Sequence, residues 1–436
     1  MNLLNLLSSK LFIGIYVVIL LVQFIWLFLL VLRVETKSVK NKPDRVRLVP
    51  SETPPVIVAP AVAPASVKKE EEEKKENAPR FSMLGAIDGK MARFVPPAYH
   101  NDVTLSELCE SFRNFAASKL KLYYDISDVR RFIANMTVTH ILIMQGMSGT
   151  GKTSMAYAFG QFMKNASTII PIQPMWKERT DMIGYYNEFT KRFNESDLLQ
   201  KMYEAGYNDQ MYIVVLDEMN IARVEYYFAE FLSLLEIPDP KQRRLEVVSD
   251  VWENDPKHLE DGKILLPTNM WFIGTANNDD STFAISDKVY DRAMVMNLDK
   301  KAEFFDPHEE DACPISATHF AKLAASARAE YGLTARNRRR LNALDKYLMK
   351  QFKVTVGNRI MRQINDYVPA YIACGGDELE ALDDILAKKL FRKFEALNPI
   401  SVRAEIGNLY AYLDNLFGEN KLPICKDYLR KFEKTA

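Results

Sequence analysis

Apolar positions along the chain fall into three regimes. The stretch 11–32 is apolar throughout except for Gly14 and Gln23, slightly longer than the ~20 residues that a helix needs to cross the hydrocarbon core of a bilayer. From Val34 to about Arg80 the pattern dissolves into proline, valine, alanine and charge, with Pro54-Pro55, a Val-Ala-Pro repetition over 58–64 and a mixed Lys/Glu block over 68–76. Such a segment cannot bury a core and reads as a disordered or extended tether. Beyond residue 100 periodicity returns. Leu105, Leu108, Phe112, Phe115 and Leu120 recur at helical spacing, and Asp125 to Asp128 opens a second helix with cap-type residues. Apolar runs at 137–145, 167–173, 211–216 and 271–275 then read as strands, with a helix-compatible stretch at 154–159 after the first. Strands alternating with helices imply a parallel sheet covered on both faces. A hairpin is expected from 245–251 returning at 264–267, and after about Lys300 the pattern is helical to the end.

This pattern predicts a transmembrane helix at 11–32, a linker at 33–100, an α/β nucleotide-binding core at 101–300 and a C-terminal helical lid at 301–436. Flanking charge orients the first of these. Lys10 stands alone on the short side, against Arg33, Lys37, Lys40, Lys42, Arg45 and Arg47 on the other. The positive-inside bias therefore predicts a single-pass membrane protein with its folded part in the cytoplasm. A cleaved leader fits less well, because the apolar run ends at Leu32-Arg33 rather than at small residues.

Composition narrows the function classes. With 57 basic and 57 acidic residues the formal net charge is zero, so no overall electrostatic case for nucleic-acid binding exists. DNA contact would have to come from a local patch; Arg336, Arg338, Arg339 and Arg340 form a basic cluster that reads as a solvated helix face or as a contact for an acidic partner or phosphate backbone, and Lys241, Arg243 and Arg244 open a hairpin that touches a partner or only stiffens the surface. The four cysteines, Cys109, Cys313, Cys374 and Cys425, form no C-x-x-C pair, which suggests neither a zinc site nor a disulfide framework.

The chemistry is carried by Gly146-Met147-Ser148-Gly149-Thr150-Gly151-Lys152-Thr153, which fits the phosphate-binding pattern G-x-x-x-x-G-K-[ST] at every fixed position. Glycines let the backbone N–H groups of Ser148, Gly149, Thr150 and Gly151 turn inward, and the following helix offers its positive end. Lys152 would reach the β- and γ-phosphates and Thr153 would hold Mg²⁺. Asp217 and Glu218 end a buried strand, where ligands of α/β sheets bind. Asp217 would hold the metal, and Glu218 would orient and deprotonate the attacking water. Further polar groups are expected to converge on the γ-phosphate. Asn277 could fix the lytic water or form a turn. Arg292 could act across a subunit interface or pair with Asp291 or Asp287. Arg359 opens a lid helix and could report the phosphate to it, with Arg362 three residues on as the alternative.

The runs 216–236, 272–280 and 176–186 together resemble the AAA+ ATPases of the MoxR and McrB branch, over roughly residues 105 to 400. The resemblance implies a ring, usually hexameric, with nucleotide at subunit interfaces. It also implies a sensor 1 role for Asn277, an arginine-finger role for Arg292 and a sensor 2 role for Arg359. Ala276 before Asn277 departs from the Met-Asn of the GTP-preferring McrB proteins, so ATP is the expected nucleotide and GTP the alternative. No nuclease signature accompanies Pro238-Asp239. The expected function is therefore a membrane-anchored ATPase whose ring remodels or drives a partner complex. The alternatives are an NTP-driven DNA translocase of McrB type and a nucleotide-gated scaffold.

Overall fold

Five short parallel strands organise the chain. The computed structural model describes residues 79–277 and 282–434. In chain order the elements are α1 (Ser82–Met91), α2 (Leu105–Leu120), α3 (Ile126–Val138), β1 (Ile141–Gly146), α4 (Lys152–Phe162), β2 (Thr168–Pro171), α5 (Arg179–Ile183), β3 (Gly184–Asn187), β4 (Arg192–Glu195), α6 (Asp197–Ala205) and β5 (Tyr212–Asp217). There follow α7 (Val224–Tyr227), α8 (Ala229–Glu236), β6 (Arg244–Glu246), β7 (Leu259–Glu260), β8 (Lys263–Leu265), β9 (Met270–Asn277), α9 (Asp287–Tyr290) and β10 (Met294–Asn297). The C-terminal part is α10 (Ala317–Glu330), α11 (Ala335–Phe352), α12 (Asn358–Ala373), α13 (Glu378–Lys389), α14 (Pro399–Phe417) and α15 (Pro423–Lys434). The main sheet runs β10-β1-β9-β5-β2, parallel throughout.

The strands are apolar on both faces because both are covered. Leu142, Met144, Ile213, Val215, Ile273, Met294 and Met296 join one core with α2, α3, α4 and the C-terminal helices. Their alternates Ile141, Ile143, Val214, Leu216, Phe272 and Val295 join a second core with α1, α6, α7 and α8. The C-terminal helices thus share a core with the strands, α12 packing on α3 and α13, and α13 on α15. This α/β architecture with a helical C-terminal region is the fold class expected.

Three expectations change. The single-pass membrane localisation is corrected: among the described residues no helix is long and apolar enough to cross a membrane, and 11–32 lie outside them. The linker expected at 33–100 lies partly outside the described residues too, but its last part is folded. Phe81, Leu84, Ile87 and Met91 are buried in the second core, and their near-helical spacing makes α1 a packed helix rather than a tether. The first apolar run splits, Thr137 and Val138 closing α3 before β1 starts at Ile141. The expected hairpin is observed as β6 paired with β8, with β7 added beside it. Neither β10 nor the β3–β4 hairpin was visible in the periodicity.

Arg80 fixes the entry to α1. Its side chain is 2% exposed and pairs with Asp255 at 2.6 Å, while its guanidinium lies 4.6 Å from the Trp252 ring. Removing one partner of a buried pair typically costs about 3–5 kcal/mol. Arg80→Ala is expected to lower unfolding stability by that order in urea denaturation; an unchanged midpoint would show that 80–94 contributes nothing to the fold.

Candidate functional site: a phosphate loop with an acidic strand end

The loop between β1 and α4 is shaped by glycine. At Gly146 φ is 146°, and a Cβ there would lie 2.4 Å from the Leu298 carbonyl oxygen, so only glycine lets β1 turn against the end of β10. Gly151 is the N-cap of α4 with φ 93° and ψ 20°, left-handed values that disfavour other residues. Ser148 and Gly149 form the turn, and the Thr150 hydroxyl donates to the Met147 carbonyl at 3.0 Å.

Lys152 is buried, 6% exposed. Its ammonium donates to the carbonyls of Gly146 at 3.0 Å and Met147 at 2.7 Å. Burial pushes its pKa below the ordinary value, against the opposing pull of Asp299 and Asp217. A cation so placed is held by weak neutral acceptors and would exchange them for charged phosphate oxygens, which bind it more strongly.

Strand alignment brings the acidic residues to this loop. The Thr153 hydroxyl donates to Asp217 Oδ1 at 2.7 Å, and the Thr275 hydroxyl donates to the same oxygen at 2.8 Å. The Glu218 backbone N–H donates to the Thr275 hydroxyl at 2.9 Å. Glu218 is exposed and left-handed, with φ 52°, a conformation that costs on the order of 1 kcal/mol for a non-glycine residue. Asn277 stands in register beside Gly146, so its position at the loop follows from the β1–β9 pairing. Buried Asn220 donates its amide to the carbonyl of Asn277 at 3.0 Å and to the Thr282 hydroxyl at 2.9 Å, clamping the loop after β5 to the end of β9.

The oxygen donors fit a hard cation. The Thr153 hydroxyl and the Asp217 carboxylate are adjacent, and Mg²⁺ is usually held by one or two carboxylates with phosphate and water completing its shell. Among the described residues no group of three or more His, Cys, Asp or Glu is arranged to hold a metal by itself.

Arg292 and Arg359 lie elsewhere, and together. Arg292 Nη2 is 2.7 Å from Glu236 Oε2, and Arg359 pairs with the other oxygen of the same carboxylate. Arg362, Arg243 and the amino end of β1 line the same hollow, of about 300 Å³. Arg292 precedes β10, whose Met294 is in register with Leu142 and whose Asn297 is in register with Gln145. The arginines are therefore at the amino edge of the sheet, on the order of 20 Å from the loop at ~3.3 Å per residue along β1.

Sequence reasoning passed over Thr275, Asn220 and Glu236. Thr275 and Asn277 were detectable as polar alternates on one face of an apolar strand. Glu236 gave no signal, because its partners are distant in sequence. Losing a hydrogen bond to a charged group costs about 1.5–3 kcal/mol, so Thr275→Val is expected to raise the Mg²⁺ concentration for half-maximal ATP binding roughly ten-fold, measured by titration calorimetry. Unchanged Mg²⁺ dependence would remove Thr275 from the site.

No curated protein matches the chain. Among solved structures, a proposed ATPase from Cytophaga hutchinsonii ATCC 33406 is similar at TM-score 0.44 and 13% identity, over 80% of this chain and 98% of that one. A full-length MCM homolog from Methanopyrus kandleri is similar at TM-score 0.38 and 11% identity, over 68% of this chain and 63% of that one. Residues 141–293, which run from β1 through the acidic strand end to Arg292, match the family described as AAA domain (dynein-related subfamily). That segment of the chain, about a third of its length, is thus similar to an AAA domain.

Proposed function

We propose that the chain hydrolyses ATP with Mg²⁺ at sites shared by neighbouring copies in a ring, and that the energy remodels or drives a partner complex. One observation carries this reading: the loop with its carboxylates and the arginine pair occupy opposite edges of one parallel sheet. A subunit with the first at one edge and the second at the other can complete a site only with a neighbour, and head-to-tail repetition of that contact closes a ring.

The chemistry follows from positioning and charge. Lys152 and the loop N–H groups grip the β- and γ-phosphates. Thr153 and Asp217 would hold Mg²⁺, which would supply positive charge beside the phosphate oxygens. Glu218 accepts the proton of a water that Asn277 orients, the water oxygen bonds to the γ-phosphorus, and the bond from that phosphorus to the β-phosphate oxygen breaks to release ADP. Arg292 and Arg359 of the adjacent copy supply positive charge to the γ-phosphate as this occurs. The zero net charge of the chain gives no reason to make nucleic acid the partner.

Arginines supplied across an interface typically contribute ~10³–10⁵ in turnover. Arg292→Ala is expected to bind ATP as the native chain does while losing turnover of that order. Lys152→Ala is expected to lose binding itself, measured with a fluorescent ATP analogue. Native turnover in Arg292→Ala, or native binding in Lys152→Ala, would contradict the assignment.

A further inference from the structure

Two adjacent lysines on α13 face two different places. Lys388 is 6% exposed and, among the described residues, its ammonium makes no hydrogen bond or ion pair. It lines a cavity of about 360 Å³ between α3, the segment after β10 and the helices α13 and α15. Asp125, Arg131, Asp299 and Asp384 line the same cavity. The cavity adjoins the phosphate loop on two sides. Asp299 Oδ1 lies 3.2 Å from where a Cβ on Gly146 would stand, and Tyr124, next to Asp125, donates its hydroxyl to the Gly151 carbonyl at 3.4 Å. Burial pushes the Lys388 ammonium below its ordinary range, with Asp384 and Asp299 opposing. The ammonium opens on this cavity instead of being sealed from solvent, so a ribose or phosphate oxygen placed there could accept a hydrogen bond from it.

Lys389 points the other way. It is 4% exposed, and its ammonium donates to the carbonyl of Tyr290 at 2.7 Å and to that of Ala293. Those carbonyls flank Arg292. The carbonyl between them, of Asp291, accepts from Gln363 of α12 at 3.1 Å. Arg392, just past α13, pairs with Asp287 at 2.7 Å and stacks 3.9 Å from the Tyr290 ring. The backbone that carries Arg292 is therefore gripped by lid side chains at the carbonyls of Tyr290, Asp291 and Ala293.

We infer that Lys388 contacts the nucleotide on the subunit's own loop while Lys389 positions Arg292 for the neighbour's nucleotide, so that α13 links two sites of the ring. The inference rests on the function proposed above. Lys388 binds the sugar-phosphate part of the nucleotide where it leaves the loop. Lys389 is a positioning residue, since it touches no reacting atom. A shift of α13 when the nucleotide leaves moves both lysines together, and Arg292 moves with the carbonyls that Lys389 holds. Occupancy of one site thereby sets the geometry of the finger at the next.

The test compares Lys388→Met, Lys389→Met, Arg292→Ala and the Arg292→Ala/Lys389→Met double variant in the full chain, with ATP-analogue binding and steady-state hydrolysis. Lys388→Met is expected to weaken nucleotide binding about ten-fold, the size of a lost charge-assisted hydrogen bond. Lys389→Met is expected to leave binding within about two-fold and lower kcat about ten-fold at unchanged KM, the signature of an interaction made only in the transition state. In the Arg292→Ala background it should cost nothing more, because its effect passes through that side chain. Native binding by Lys388→Met, or a Lys389→Met loss that multiplies that of Arg292→Ala, would overturn the inference. Should Lys389→Met melt before assay, Gln363→Leu tests the same link with the same expected non-additivity. A native chain that neither binds nor hydrolyses ATP would instead defeat the proposed function, whereas native hydrolysis unaffected by Lys389→Met and Gln363→Leu defeats the link alone.

Discussion

Parallel strand direction is the constraint on which the site depends. All strands of the main sheet run one way, so every carboxyl end opens on the same edge. Gly146, Asp217 and Asn277 meet there because they end β1, β5 and β9. Hydrogen bonds then turn proximity into geometry. A single oxygen, Asp217 Oδ1, receives hydroxyls from α4 and from β9, so the helix after the loop, the acidic strand and β9 are tied at one atom. The same parallelism sends residues that precede strands to the far edge, and Arg292 precedes β10. The separation of loop and arginines is thus a property of the topology.

Among the described residues, three buried ammonium groups lie along this architecture. Lys152, Lys388 and Lys389 are each at most 6% exposed, and burial lowers the pKa of each. For Lys389 it reaches about 7. A lysine is rarely buried unless it is paired or performs a task. Lys389 has carbonyls to satisfy it, Lys152 has loop carbonyls that a polyphosphate would replace, and Lys388 has none among the described residues. At the far edge the balance differs. Glu236 is shared by two guanidinium groups, and Arg292 Nε is left without a hydrogen-bond partner among the described residues.

Local signals carried much of this fold. The phosphate loop was legible because its chemistry demands glycines and a Lys-Thr pair at fixed spacing, and β5 and β9 because buried parallel strands are continuous apolar runs. The helix α2 followed from its spacing, and its Thr104–Glu107 capping box fixed its start. What escaped depended on partners remote in sequence. β10 is short and exists by pairing with β1, some 150 residues earlier. The segment 80–94 was read with the proline-rich stretch before it, although Phe81, Leu84, Ile87 and Met91 carried a helical face. Glu236, Lys388 and Lys389 are ordinary charged residues in sequence, and only tertiary packing shows what they face. Arg292 and Arg359 were singled out from their motifs, but their common partner Glu236 lies 123 residues before Arg359.

The central claim is that one copy's loop works with another copy's arginines. Mixing Lys152→Ala subunits, which keep their arginines, with Arg292→Ala subunits, which keep their loop, tests it most directly when ATP turnover is followed across the mixing ratio. Shared sites predict that two inactive proteins regain activity together, with a maximum at intermediate ratios. Activity that stays at the level of the separate variants at every ratio, while both remain folded and assembled, would contradict the account.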